Sequence, residues 1–346
     1  MTSIRTLTWR IAAAFLLGLA AAGAAQAQVT YTIGTTFPAG FTAPNDASLG
    51  KPVIGFGGAL PATGALTHTP VVFLHGNGGT PYYDATTCAD KSPDIRGMAQ
   101  YFADNGYDLS ELWALGYQGA QCDVDPTSGF LLPAYRSSID HTHAANVVDL
   151  QNFVNAVLSY TRARHVDIVA HGMGVTLVRE WYRQYGNNQV RRFVAIDGPN
   201  SGMIICSANP QNPWQLGLLG GFTPTSPLCQ ELGSPNTQFL KVLNGARTRI
   251  DPKTTLVIRN GANSCPSFLF TPDVPDGQLM PVVPSPVVDS LGKRADFSSS
   301  ARIRSVQDIV LCGQSAWDPY SGRGSAHIGI ANSPDTLAAA FEFLTR

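Results

Sequence analysis

From Val71 onward, short apolar runs alternate with stretches of helical periodicity, and that alternation limits the chain to a mostly parallel sheet covered by helices on both faces. Val71-Val72-Phe73-Leu74 reads as a strand stopping at His75-Gly76, and a helical pattern runs from about Ile95 to Asn105. A second strand follows around Leu112–Leu115. Between Ala144 and Tyr160, Val147, Leu150, Val154, Val157 and Leu158 recur at helical spacing and lay one apolar face along a helix. Val166–Ala170 is then a strand and Val175–Tyr185 a helix. Further strands are expected at Arg192–Ile196, Thr255–Ile258 and Val306–Leu311, and Pro334–Leu344 reads as a closing helix with proline in its first turn.

Two stretches break the alternation. Residues 199–235 carry several Gly and Pro residues and the apolar run from Trp214 to Phe222, and residues 261–300 are dominated by Pro, Ser and Asp. Both follow strands in the second half of the sheet, where α/β enzymes carry cap or lid material. Trp214, Leu218 and Phe222 are therefore candidate substrate-contacting residues, with a satellite core beneath a long loop as the equal alternative. Residues 28–65, rich in Gly, Pro, Thr and Ala, form an extended lead-in with a strand near Val53–Phe56. The expected layout is a single domain over residues 66–346 with insertions at about 199–250 and 261–300.

At the amino terminus, Arg5 and Arg10 precede an apolar, alanine-rich run from Ile11 to Ala25 that ends in Ala25-Gln26-Ala27. This is the pattern of a secretory signal peptide over residues 1–27, cleaved after Ala27. A membrane anchor needs about 18 or more apolar residues, and this run is shorter. Six cysteines, Cys88, Cys122, Cys206, Cys229, Cys265 and Cys312, form an even set suited to disulfides in an oxidising compartment, secreted or periplasmic. Sequential pairing is attractive because Cys206 to Cys229 and Cys265 to Cys312 would each close a loop-rich insertion. A net charge of −1 without basic clusters argues against nucleic acid or an anionic membrane surface as partner. Metal and cofactor motifs are absent from the sequence, no integral membrane segment is expected, and a monomer is.

The most informative string is Val169-Ala170-His171-Gly172-Met173-Gly174-Val175, set between a strand and a helix. In an α/β-hydrolase this is the nucleophile elbow, G-x-S-x-G, whose small flanking residues allow a sharp turn that lifts the central side chain above the sheet edge. Ala170 stands in place of the first glycine, and Gly172 in place of the serine. The second change removes the atom that attacks a carbonyl.

VDIVAHGMG followed by a helix, VVFLHGNGG on an early strand and AHIGIANSP near the carboxyl end resemble, in that order, the small secreted bacterial lipases of class 2. More loosely they resemble the extracellular polyhydroxyalkanoate depolymerases of the same fold. The resemblance runs from about Val71 to the last helix and is weak across the insertions. It implies an α/β-hydrolase fold and a pocket for a lipid, acyl-ester or polyester substrate. It also implies that Asn77, in His75-Gly76-Asn77-Gly78-Gly79, and Met173 offer backbone oxyanion donors. The plainer reading of His75-Gly76 is a strand-ending turn. His327 stands where the family keeps its general base, a role its near-neutral imidazole permits. Asp276 best fits the acid, with Asp273 the alternative. His68, His141, His143 and His165 read as loop or surface residues.

Removing the nucleophile of a triad costs on the order of a million-fold in kcat and leaves roughly a thousand- to ten-thousand-fold from the oxyanion hole and binding. Trace ester hydrolysis at most is the expectation. No neighbouring hydroxyl replaces the serine, since Thr176 belongs to the following helix and Ser201 to a turn after another strand. Glycine also suits the strained turn, so the change favours the fold while removing the chemistry. A non-catalytic relative binding acyl or polyester ligands, a deliberately inactivated enzyme and a hydrolase with weakened chemistry all fit this sequence.

Overall fold

Apolar runs buried on both sides become the strands, and longer periodic segments become the helices that cover them. The computed structural model describes residues 33–47, 50–58, 65–77, 79–82, 95–117, 142–200, 202–203, 206, 224–245, 254–260, 307–309, 331–332 and 334–346. All of these lie in one compact unit, Tyr31–Arg346. In chain order the elements are β1 (Ile54–Gly57), β2 (Val71–Leu74), α1 (Arg96–Asp104), β3 (Leu112–Gly116), α2 (His143–Thr161), β4 (Val166–His171) and α3 (Met173–Tyr185). They continue with β5 (Val190–Ile196), α4 (Pro227–Leu232), α5 (Gln238–Leu243), β6 (Thr255–Asn260), β7 (Gln307–Ile309) and α6 (Pro334–Thr345).

Among the described residues the sheet has seven strands in the order β1-β3-β2-β4-β5-β6-β7. β1 runs antiparallel to β3, and every other pairing is parallel. The register aligns Leu74 with Ala170 and Ala170 with Ala195, so β2, β4 and β5 end level with one another. That shared edge carries His75, Gly172 and Asp197.

Side-chain alternation splits the strands between two cores. Val72, Leu74, Ile168, Ala170, Phe193 and Ala195 pack with α2 and α3 through Leu150, Phe153, Val154, Val157, Val178 and Trp181. Val71, Phe73, Val169, Val194 and Ile196 pack on the other face with Met98 and Phe102 of α1 and with Ala340, Phe343 and Leu344 of α6. Burying each Val, Leu or Phe side chain stabilises by about 1.5–3 kcal/mol relative to leaving it exposed. Both faces being covered is why the strands read as continuous apolar runs.

The expected strands and longer helices are found within a few residues of their sequence positions. Two helices were not expected, and both lie in the first insertion. α4 begins at the cap Ser226, whose hydroxyl accepts from the Cys229 N–H at 3.4 Å, with Pro227 in its first turn. α5 begins at Thr237, which caps the Leu240 N–H at 3.2 Å. Six-residue helices are too short to show periodicity over the roughly 11–18 residues such a signal needs. A disulfide joins Cys206 to Cys229 across a Cα separation of 5.4 Å, as sequential pairing expects. The other four cysteines lie outside the described residues.

Candidate active site

β4 ends at His171, and α3 starts at Met173, so the chain must reverse direction within one residue. That residue is Gly172, at φ 55° and ψ −126°. A side chain is strained there, and glycine is not. The turn is closed by the Gly172 N–H donating to the Ile196 carbonyl and the Val175 N–H donating to the Gly172 carbonyl, each at 3.0 Å. Gly174 sits so close to β2 that an added methyl would lie 2.8 Å from the His75 carbonyl oxygen and 3.2 Å from Leu74 Cβ. Contact on that side therefore requires a small residue after the turn.

The loop leaving β2 lies over this turn. A methyl placed on Gly76 would sit 3.7 Å from the Gly172 Cα and 3.3 Å from His171 Nδ1. The Gly79 N–H donates to the Gly76 carbonyl at 3.0 Å and folds the loop back, with Asn77 half-buried at its bend. Tertiary structure thus brings the Asn77 loop together with Gly172 and Met173. His327, Asp276, Asp273, Trp214, Leu218, Phe222 and Ser201 lie outside the described residues.

Two further groups mark the same edge. His75 is buried, stacks on Tyr117 with ring centroids 4.3 Å apart, and donates from Nδ1 to the Gly76 carbonyl at 2.8 Å. Tyr117 in turn donates its hydroxyl to the His75 carbonyl at 2.8 Å. Burial pushes the His75 imidazole down to about 4, against a smaller upward pull from its bond to Gly76, and nearby His171 lowers it further. His75 is therefore neutral at pH 7. Asp197, fully buried at the end of β5, holds φ 48°, uncommon for a residue with a side chain. The string Ile196-Asp197-Gly198 carries no motif that would single it out.

His143 corrects the sequence reading. It is neither a loop nor a surface residue but the first residue of α2, 1% exposed, with Nδ1 2.6 Å from Glu231 Oε2 and Nε2 2.8 Å from Thr176 Oγ1. Its carboxylate partner stands 88 residues away in sequence, beyond the reach of any local pattern. His165 is exposed, and His68 is half-buried in a bend. Among the described residues no group of three or more His, Cys, Asp or Glu side chains is placed to hold a metal, and no helix is long and apolar enough to cross a membrane.

Residues 68–261 match the sequence profile of the lipases of class 2. The chain belongs to the class 2 lipase family. Its fold is that of an α/β-hydrolase, and its lineage is that of lipase and esterase hydrolases. Among solved structures it is similar to the mature lipase of Bacillus licheniformis, with 18% identity and a TM-score of 0.37 over 56% of this chain and 66% of that one. It is also similar to a phospholipase of Legionella pneumophila, with 13% identity and a TM-score of 0.38 over 56% and 39% of the two chains. For the naproxen esterase of Bacillus subtilis the values are 11% identity and a TM-score of 0.39 over 85% and 87%. The chain spans less than two thirds of the length of the first two.

Proposed function

We propose that this chain is an exported lipase-type α/β-hydrolase in which Gly172 occupies the nucleophile position, leaving a pocket for a carboxylic ester with at most trace hydrolysis. The observation that carries the reading is the turn itself. Gly172 joins a strand to a helix at φ 55° and ψ −126°, directly beneath the Gly76–Asn77 loop. Such a turn presents its central side chain at the carboxyl edge of the sheet, where α/β folds bind ligands.

In this reading the backbone N–H groups of Asn77 and Met173 stabilise the oxyanion, His327 is the general base, and Asp276, or else Asp273, orients it. With serine at position 172, the hydroxyl oxygen attacks the ester carbonyl while its proton passes to His327, which then protonates the departing alcohol. With glycine, a water molecule gives its proton to His327 and attacks in the same direction without a covalent intermediate. Losing the nucleophile costs on the order of a million-fold, and the remaining groups still supply roughly a thousand- to ten-thousand-fold. Export, with removal of residues 1–27, is supported by the disulfide, which needs an oxidising compartment.

The deciding experiment compares this chain with Gly172→Ser on short and long acyl esters, triglyceride and polyhydroxybutyrate. The serine variant is expected to gain at least about a thousandfold in kcat. No gain on any substrate would reject the placement of the site, and a parent chain already as fast as the variant would reject the mechanism. A second reading, a binding protein for acyl or polyester ligands, draws its support from the same glycine. Retention of polyester by the unaltered chain, lost in Trp214→Ala, favours it.

A further inference from the structure

The helix that follows Gly172 starts without the usual supports. Its cap residue is glycine and has no side chain to accept a backbone N–H, and its first turn has no acidic residue. The first N–H groups of any helix lack intrahelical partners, so an uncapped start is the mobile end. A catalytic turn cannot tolerate such mobility, because a displacement of about 1 Å costs on the order of a hundredfold in rate.

The structure offers a support from the side. Thr176, fully buried on α3, donates its hydroxyl to the Met173 carbonyl at 2.9 Å and lies 2.8 Å from His143 Nε2. The other ring nitrogen of His143 is 2.6 Å from Glu231 Oε2, and the His143 backbone N–H donates to the same oxygen at 3.1 Å. Phe239 of α5 covers the ring at a centroid distance of 4.3 Å. Glu231 is itself held fast. It lies on α4 two residues after Cys229, which is bonded to Cys206, and its carbonyl accepts from the Thr237 hydroxyl at 2.6 Å.

A carboxylate only accepts, so His143 Nδ1 donates to Glu231. The ring is held between Glu231 and Thr176 through both of its nitrogens. The trio is not a second nucleophilic site, because the Thr176 hydroxyl is fully buried and engaged on both sides.

We infer that Glu231, His143 and Thr176 form a positioning relay that fastens the first turn of α3, and with it Gly172 and the Met173 N–H, to α2 and to the disulfide-bonded α4. The inference rests on the reading of Gly172 as the nucleophile position and extends it to residues that touch no substrate. Reduction of the Cys206–Cys229 bond loosens the anchor of Glu231, which makes the geometry of the turn sensitive to the redox state outside the cell.

Amide hydrogen exchange on the full chain tests this without depending on activity. Thr176→Val, Glu231→Gln and reduction of the disulfide are each expected to speed exchange over Met173–Thr176 by about tenfold or more while the amides of β5 and β6 stay protected. Thr176→Ser, which keeps the hydroxyl, is expected to exchange like the parent. In the Gly172→Ser background, Thr176→Val is expected to lower kcat by about ten- to a hundredfold with KM little changed. Unchanged exchange at the turn in Thr176→Val, or exchange rising equally throughout the sheet, would overturn the relay. Absence of ester hydrolysis in Gly172→Ser would instead reject the functional reading, and the exchange results would still decide the relay.

Discussion

At the amino ends of β3, β4 and β5, buried charges meet partners on several sides. Glu111, fully buried just before β3, accepts from the His68 backbone N–H and the Thr67 hydroxyl at Oε1, and its Oε2 accepts from the Asp108 backbone N–H and lies 2.9 Å from His68 Nδ1. Asp167 at the start of β4 pairs with Arg191, whose Nε donates at 3.0 Å. Arg191 and Arg192 also donate to the Leu344 carbonyl at the end of α6, where cations satisfy a helix terminus. The carboxyl ends of β2 and β4 look different. His75 is buried and neutral there, its Nε2 has no hydrogen-bond partner among the described residues, and Gly76, Gly172 and Gly174 bring backbone against backbone. One end uses its polar groups to hold the sheet together, and the other packs glycine backbone beside a buried, neutral imidazole.

If this contrast is right, the amino-end charges matter most for stability. Glu111→Ala is expected to cost about 3–5 kcal/mol in urea unfolding, since it strands several buried donors at once. Burial alone would raise the Glu111 carboxyl, but the bonds from His68, Asp108 and Thr67 outweigh burial and hold it below its ordinary 4.5. Its contribution is therefore fully present above about pH 4.5 and is lost as pH falls through the lower folded value. A loss under 1 kcal/mol would remove the distinction between the two ends.

His75 makes a separate test, in a different pH window. Its imidazole titrates at about 4 in the folded chain and at 6.5 when free, so between those values the unfolded chain takes up a proton that the folded chain refuses. Stability is expected to fall by about 3 kcal/mol as pH drops from about 6.5 to 4, and His75→Gln should remove that slope. Comparing the pH dependence of the two proteins in urea decides it, and parallel curves would refute a buried neutral His75.

The glycines give the smaller effects. Gly174→Ala is expected to lose about 1–3 kcal/mol, because its methyl meets the His75 carbonyl. Gly172→Ala should lose about 1–2 kcal/mol through backbone strain at φ 55°. Thermal melts would separate the two. Equal stability of Gly172→Ala and the parent would mean that the turn relaxes away from φ 55°.

Much of the fold was legible before the structure because its signals are local. Val71–Leu74 and Val166–Ala170 announce strands through four or five consecutive apolar or small positions, and Val147 to Val157 announce a helix through spacing alone. The short α4 and α5 escaped that test, although Ser226-Pro227 and Thr237 were readable as caps. The candidate site was legible in part. The string around Gly172 pointed to a strand-turn-helix with a missing side chain, and the turn is there.

The Glu231–His143–Thr176 contacts were not legible, and neither was the buried state of His143. By itself the sequence determined the alternation of elements, the mostly parallel sheet and the glycine at its sharpest turn, since each depends on residues within one helical or strand repeat. Only the tertiary structure decided which charges are buried together, which histidine is neutral and what braces the turn. Those properties depend on partners tens of residues apart and on the exclusion of water, neither of which a local pattern of residues encodes.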